Sequence, residues 1–121
     1  MKLLVVDDSR MARRLLIGLL RETGLKDADI LQGENGEEGV NLWREHAPDL
    51  IFLDLTMPVM DGFDALLAIR AHDLKTPILI VSADVQSRAV AKVMADGADG
   101  FIDKSTLQTE LQGHLRRLGF L

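Results

Sequence analysis

Cysteine is absent from the 121 residues. No disulfide framework, thiolate nucleophile or cysteine-ligated zinc is therefore available, and the composition fits a reducing cytoplasm. No apolar stretch approaches the roughly 20 residues that a membrane span needs. No signal peptide is expected either, because the chain runs directly into a short apolar segment at residue 3. Basic charge is in deficit, with 14 Lys and Arg against 19 Asp and Glu for a net charge of −5. A phosphate backbone wants a basic surface, so direct nucleic-acid binding is not expected. The three histidines, His46, His72 and His114, fall in no triad or metal spacing and read as surface residues. Repeats, low-complexity tracts and linkers are missing too. What remains is ordinary for a globular protein, at 47% apolar and 27% charged residues. One domain over residues 1–121, acting as a monomer, is the expectation.

Short apolar runs alternate with longer helix-period segments. Strands are expected at residues 3–6, around 30–31, and at 50–53, 78–81 and 100–102. Helices are expected at 10–23, 37–46, 62–71, 85–96 and 106–118. In the first helix Met11, Leu15 and Leu19, with Leu16 and Leu20 beside them, form a face that can pack on a sheet. Gly24 is the expected left-handed stop of that helix. Pro48 and Pro77 stand just ahead of strands, where a missing N–H does least harm. Five strands alternating with five helices imply a parallel sheet covered on both faces, with right-handed crossovers. The leading topology is flavodoxin-like and doubly wound, in strand order 2-1-3-4-5. Ligands in such a fold bind beyond the carboxyl ends of the strands, where strands 1 and 3 diverge.

That rule gives meaning to the segment LLVVDDS, residues 3–9, whose apolar run ends in Asp7 and Asp8. The third strand ends in Asp54, the fourth in Ser82, and the fifth leads within two residues to Lys104. Neighbouring strands lie about 4.8 Å apart, so three carboxylates converge while Lys104 reaches back from roughly 10 Å away. Close carboxylates raise one another's pKa and need a counter-charge. An all-oxygen set of acids, a backbone carbonyl and water suits Mg²⁺. Asp54 then reads as a nucleophile toward a phosphoryl group, with Lys104 and the Ser82 hydroxyl neutralising charge on the equatorial oxygens.

The paired acids, the segment Asp54-Leu-Thr-Met-Pro-Val-Met-Asp-Gly62, Ser82-Ala83 and Lys104 resemble the response-regulator receiver domains of bacterial two-component systems along essentially the whole chain. The resemblance implies that Asp54 is phosphorylated by a histidine kinase or a histidine phosphotransfer protein. It also implies that the Thr56 carbonyl joins Asp7, Asp8 and Asp54 around Mg²⁺. Ser82 and the aromatic Phe101 would be switch residues that move on phosphorylation. The partner face would lie on the fourth helix, fifth strand and fifth helix, including Val90, Lys92, Phe101 and Asp103. Thr56 and Asp84 occupy the positions that tune hydrolysis of the aspartyl phosphate in receivers. No output domain follows the fifth helix within these residues. The signal is therefore expected to pass by direct docking, as chemotaxis regulators dock on the flagellar motor switch. A phosphorelay intermediate or phosphate sink is the alternative, and the domain itself is expected to be no enzyme beyond its own phosphoryl transfer and dephosphorylation.

One departure stands out. Receivers usually follow the lysine with a proline in a cis peptide, and this chain has Lys104-Ser105. A cis bond to serine costs about 2.5–4 kcal/mol, against about 0.5–1 kcal/mol for proline. Either a trans bond with a rearranged loop or a strained cis bond is expected; Ser105 leaves a phosphorylation-independent binding module open as a rival, while the intact acids and lysine oppose it. Gly113, inside the fifth helix at about 1 kcal/mol relative to alanine, is an expected point of fraying or bending. Plainer readings stand beside these: Asp7-Asp8 and Ser82 as helix caps, Asp61-Gly62 as a turn and helix start. Met57, Met60, Met94 and Trp43 read as packing residues, and Arg13-Arg14 and Arg116-Arg117 as solvated pairs. A haloacid-dehalogenase-type phosphatase wants a second acid where Thr56 stands, and a flavin carrier wants a phosphate cradle where Asp7 and Asp8 stand.

Overall fold

The computed structural model describes all residues, 1–121. In chain order the elements are β1 (Lys2–Val6), α1 (Arg10–Arg21), β2 (Asp29–Gly33), α2 (Gly36–His46), β3 (Leu50–Leu53), α3 (Gly62–Arg70), β4 (Ile78–Ser82), α4 (Ser87–Ala95), β5 (Gly100–Asp103) and α5 (Leu107–Arg117). A 3-10 turn, Lys104–Thr106, leads into α5. The strands pair in parallel in the order β2-β1-β3-β4-β5, the flavodoxin-like topology expected from the alternation. No helix is long and apolar enough to cross a membrane.

The continuous apolar runs follow from burial on both faces, and the side chains divide by the strand period of two. Leu4, Val6, Ile51, Leu53, Ile78 and Ile80 point into a core shared with α2, α3 and α4. Leu3, Val5, Leu50, Phe52, Leu79 and Val81 point the other way, toward α1 and α5. Register then sets the site. Leu3 pairs with Leu50 and Val6 with Leu53, so the chain leaves β1 at Asp7 and β3 at Asp54 side by side. From there α1 leads away to β2 on one side, while the chain after β3 continues to β4 on the other, opening a crevice at the reversal.

Two close backbone approaches hold the loops around that crevice. The Gly62 N–H donates to the Leu55 carbonyl at 2.9 Å, and a Cβ at Gly62 would collide with the Asp54 carbonyl oxygen. The Gly36 N–H donates to the Met60 carbonyl at 2.8 Å, and a Cβ there would meet the same oxygen. Between them Val59 adopts a left-handed φ of 68°, which lets the Met60 N–H bond back to the Pro58 carbonyl at 2.7 Å. A β-branched residue holds that conformation only when its surroundings dictate it. At the opposite end of the sheet, the Asp73 carboxylate accepts hydrogen bonds from the Trp43 indole, the Thr76 hydroxyl and the N–H groups of Lys75 and Thr76. Arg70 ties α3 to the Gly97 carbonyl and, at 2.9 Å, to Asp99, which also accepts the Ile78 N–H.

Several local expectations need correction. The α1 stripe that packs is Arg13, Leu16 and Leu20, while Met11 and Leu15 are 81% and 58% exposed. The three-and-four spacing toward the sheet runs through an arginine, so hydrophobicity alone picked the flanking face. Arg13 is accordingly buried rather than solvated. Gly24 does not end α1; the helix closes at Arg21, where the Thr23 hydroxyl donates to the Leu20 carbonyl. The helix α4 begins at Ser87, two residues later than expected, with Gln86 extended ahead of it and giving no side-chain cap. Met94 is 43% exposed, whereas Met57 is buried and Met60 packs against the core. Gly113 does not interrupt α5, which runs unbroken from Leu107 to Arg117, and a Cβ there would face open space. Gly62→Ala should lower stability by about 2 kcal/mol in urea denaturation, because backbone rather than a flexible side chain must yield.

Candidate phosphoryl-transfer site

At the carboxyl end of the sheet the helix caps are taken by residues other than the paired acids. Ser9 is the N-cap of α1 and its Oγ accepts the Ala12 N–H at 3.1 Å. Asp61 caps α3 through the Asp64 N–H, the structural role expected of it. Neither Asp7 nor Asp8 is the N-cap of α1, although Asp7 Oδ1 accepts the Ser9 N–H at 2.9 Å. Asp7 is 6% exposed and Asp54 5%, while Asp8 stands at the solvent edge. Carboxylate oxygens of Asp7, Asp8 and Asp54 all lie within 4.8 Å of one another.

Lys104 supplies the counter-charge. Its Nζ lies 2.8 Å from Asp7 Oδ2 and 3.1 Å from Asp54 Oδ2. Every peptide bond is trans, the Lys104–Ser105 bond included. The turn after β5 is instead closed by Asp103, whose carboxylate accepts the Ser105 N–H at 2.9 Å and the Ser105 hydroxyl at 2.8 Å. Of the two expected arrangements the trans bond is the one found, with serine making its own capping turn and the lysine reaching both acids.

Burial raises the Asp54 carboxyl above its ordinary value of 3.8, and the charge of Asp7 adds to the rise. The Lys104 charge and the Leu55 N–H, which donates to Asp54 Oδ1 at 2.8 Å, pull it back only partly. For Lys104 burial acts downward, but the hydrogen bonds and charges of Asp7 and Asp54 outweigh it, so its pKa lies above 10.5. The apolar floor explains the burial. A cavity of about 60 Å³ beneath the acids is lined by Ala12, Leu16, Phe52, Val81 and Leu107.

The other expected site residues fall around this centre. Ser82 ends β4, is 1% exposed, and its Oγ accepts the Asp84 N–H at 3.1 Å, so it does not cap α4. Thr56 is exposed in the loop after β3. Phe101, opposite Ile80 in the sheet, packs half-buried against the core. On the expected partner face Val90 is half-buried and Lys92 pairs with Asp96 at 3.0 Å. Asp103 is already engaged by Ser105. Sequence reading missed Arg13, whose Nη1 donates to the Asp7 carbonyl at 2.6 Å. Its position three residues before Leu16 and seven before Leu20 was the available signal.

The response regulator receiver domain profile matches residues 3–116. The chain is a receiver domain. It is 37% identical to the chemotaxis protein CheY of Halobacterium salinarum over 85% of this chain and 83% of that one. Against CheY of Bacillus subtilis the identity is 36%, over 85% and 84%. Among solved structures the receiver superposes on the CheX–CheY–BeF3–Mg²⁺ complex of Borrelia burgdorferi with TM-score 0.89 and 27% identity, covering 98% of this chain and 88% of that one. These likenesses make it a signalling domain of the CheY type, and its acidic cluster is a set of hard oxygen donors able to bind a metal ion.

Two outcomes follow from the charge balance. Since the folded-state pKa of Asp54 lies above 3.8, its ionised form weakens the fold. That penalty is absent well below 3.8 and complete once the pH exceeds the folded value. Asp54→Asn should therefore raise the melting temperature at neutral pH in metal-free buffer, with the gain shrinking as the pH falls from the folded value toward 3.8 and gone well below it. Lys104→Met should do the reverse, leaving Asp7 and Asp54 without their cation. A loss of about 2 kcal/mol is expected in urea denaturation, kept modest because Lys104 is 28% exposed. Mg²⁺ should restore part of it.

Proposed function

We propose that the receiver is a two-component response regulator whose Asp54 accepts a phosphoryl group in a Mg²⁺-dependent reaction. The observation that carries this reading is one carboxylate, Asp54, held 3.1 Å from Lys104 Nζ and within 4.8 Å of two further acids at the strand ends. An Asp54 carboxylate oxygen attacks the phosphorus of a phosphohistidine on the donor protein. The P–O bond forms as the P–N bond breaks, and the imidazole nitrogen keeps the electron pair and takes up a proton. Lys104 and the Ser82 hydroxyl steady the negative charge on the transferred oxygens. The carboxylates of Asp7, Asp8 and Asp54 and the Thr56 carbonyl would hold Mg²⁺, which when bound neutralises charge on those same oxygens.

After transfer, Ser82 and Phe101 would shift toward the phosphoryl group and alter the surface of α4, β5 and α5. Val90, Lys92, Phe101 and Asp103 belong to the face offered to a partner. A histidine kinase or histidine phosphotransfer protein is the donor in this reading, and the target is a protein of a chemotaxis or similar pathway, such as a flagellar motor switch. The reach of Lys104 to Asp54 from a trans Lys104–Ser105 bond favours this phosphoacceptor over a module that is never phosphorylated.

Intact-protein mass after incubation with acetyl phosphate, with and without Mg²⁺, tests the assignment. Wild type should gain one labile phosphoryl group only when Mg²⁺ is present, and Asp54→Asn none. Equal labelling of the variant would sink the assignment of Asp54. Absence of any adduct, with phosphoramidate tried as a second donor, would favour the phosphorylation-independent module.

A further inference from the structure

The helix α1 buries a guanidinium that the phosphoryl chemistry itself does not require. Arg13 is 6% exposed, on the stripe that otherwise carries Leu16 and Leu20. An arginine keeps its charge in any protein setting, so its burial is tolerable only with matched partners. Its Nε donates to Gln32 Oε1 on β2 at 2.9 Å, and its Nη1 to the Asp7 carbonyl at 2.6 Å. Its Nη2 lies 3.5 Å from Glu34, which is 67% exposed and contributes little. Helix capping does not explain the contact, because Ser9 already caps α1.

The acceptor is the informative part. Asp7 is restrained at every polar atom: its N–H donates to the Gly33 carbonyl, Oδ1 accepts the Ser9 N–H, Oδ2 meets Lys104, and the carbonyl takes Arg13. That carbonyl lies in the plane of the Asp7–Asp8 peptide, and a planar peptide carries the next Cα with it. Whatever fixes the carbonyl also fixes where Asp8 stands relative to Asp7 and Asp54. Gln32 braces the guanidinium from the neighbouring strand, so the aim does not depend on α1 alone.

We infer that Arg13 is a positioning residue for the divalent-cation site, setting the Asp7–Asp8 peptide through its bond to the Asp7 carbonyl, with Gln32 as its brace. The inference rests on the proposed cation site. It runs against simple electrostatics, since a nearby positive charge by itself disfavours a cation. The two effects separate by substitution. Arg13→Lys keeps the charge, but its single ammonium does not reproduce a fork that holds Gln32 and the Asp7 carbonyl together. Arg13→Met removes charge and fork alike.

Calorimetric titration of Mg²⁺ into the full chain decides the matter, with thermal melts in metal-free buffer showing that each variant folds. Arg13→Lys should weaken Mg²⁺ binding about tenfold, as loss of a residue that orients a metal ligand typically does. Gln32→Ala should weaken it less, in the same direction. Unchanged affinity in a folded Arg13→Lys, together with tighter binding by Arg13→Met, would mean that Arg13 acts only as a charge and overturns the inference. Should Arg13→Lys fail to fold, Gln32→Ala decides alone, and wild-type affinity in it overturns the inference equally. A wild type that binds no Mg²⁺ overturns the cation site and the role of Arg13 together, an outcome distinct from intact binding that ignores Arg13.

Discussion

Everything at the functional end of this receiver depends on one cation balancing too many anions. Asp7 and Asp54 are nearly inaccessible to water and face each other across adjacent strands, with Asp8 at their edge. Lys104 alone bridges Asp7 and Asp54. Three carboxylates against one ammonium leave the cluster short of positive charge, a set of oxygen donors that could bind a metal ion. The shortage also explains why burial and Asp7 keep the Asp54 carboxyl above its ordinary value even with a lysine in contact. A site already neutral would have no comparable appetite for a metal ion.

The rest of the fold keeps those charges together. Parallel pairing sets Asp7 beside Asp54, and β4 and β5 bring Ser82 and Lys104 to the same end. The glycines at 36 and 62 let the loops close so tightly that backbone meets backbone. At the other end of the sheet, Asp73 and Asp99 gather neutral donors and Arg70 into a clasp that joins α2, α3 and the strand entries. The burial penalty on Asp73 is outweighed there by hydrogen bonds from Thr76, Trp43 and Lys75, which hold its carboxyl well below the usual range. One end of the sheet is thus satisfied internally, while the other keeps a charge imbalance open to solvent.

Much of this was legible in the residues. The alternation of apolar runs and helix-period segments specified an α/β sheet, and the acids after two strands and the lysine after a third marked the end of the sheet where these side chains gather. Legibility failed where one residue type serves two purposes. Met11 and Leu15 looked like a core face but stand in solvent, while Arg13 looked solvated but is buried. Hydropathy ranks side chains by transfer from water and takes no account of a guanidinium whose partners come from a neighbouring strand. Gly24 and Gly113 suggested a stop and a weak point, yet a threonine hydroxyl closes α1 and α5 runs on through an exposed glycine.

By itself the sequence determined the element order, the doubly wound sheet and the family, because hydrophobic period and the placement of acids and lysine are local properties that survive any detail of packing. Only the tertiary structure decided how Lys104 reaches Asp54 without a following proline. That depends on the Asp103 carboxylate capping Ser105, a side-chain choice that has no period to read. It alone also decided that Arg13 turns inward to the Asp7 carbonyl, since this bond joins the first turn of a helix to the end of the strand before it, and Gln32 on a third element completes it. Contacts of that kind are set by where elements meet in space, and a linear pattern carries no record of that meeting.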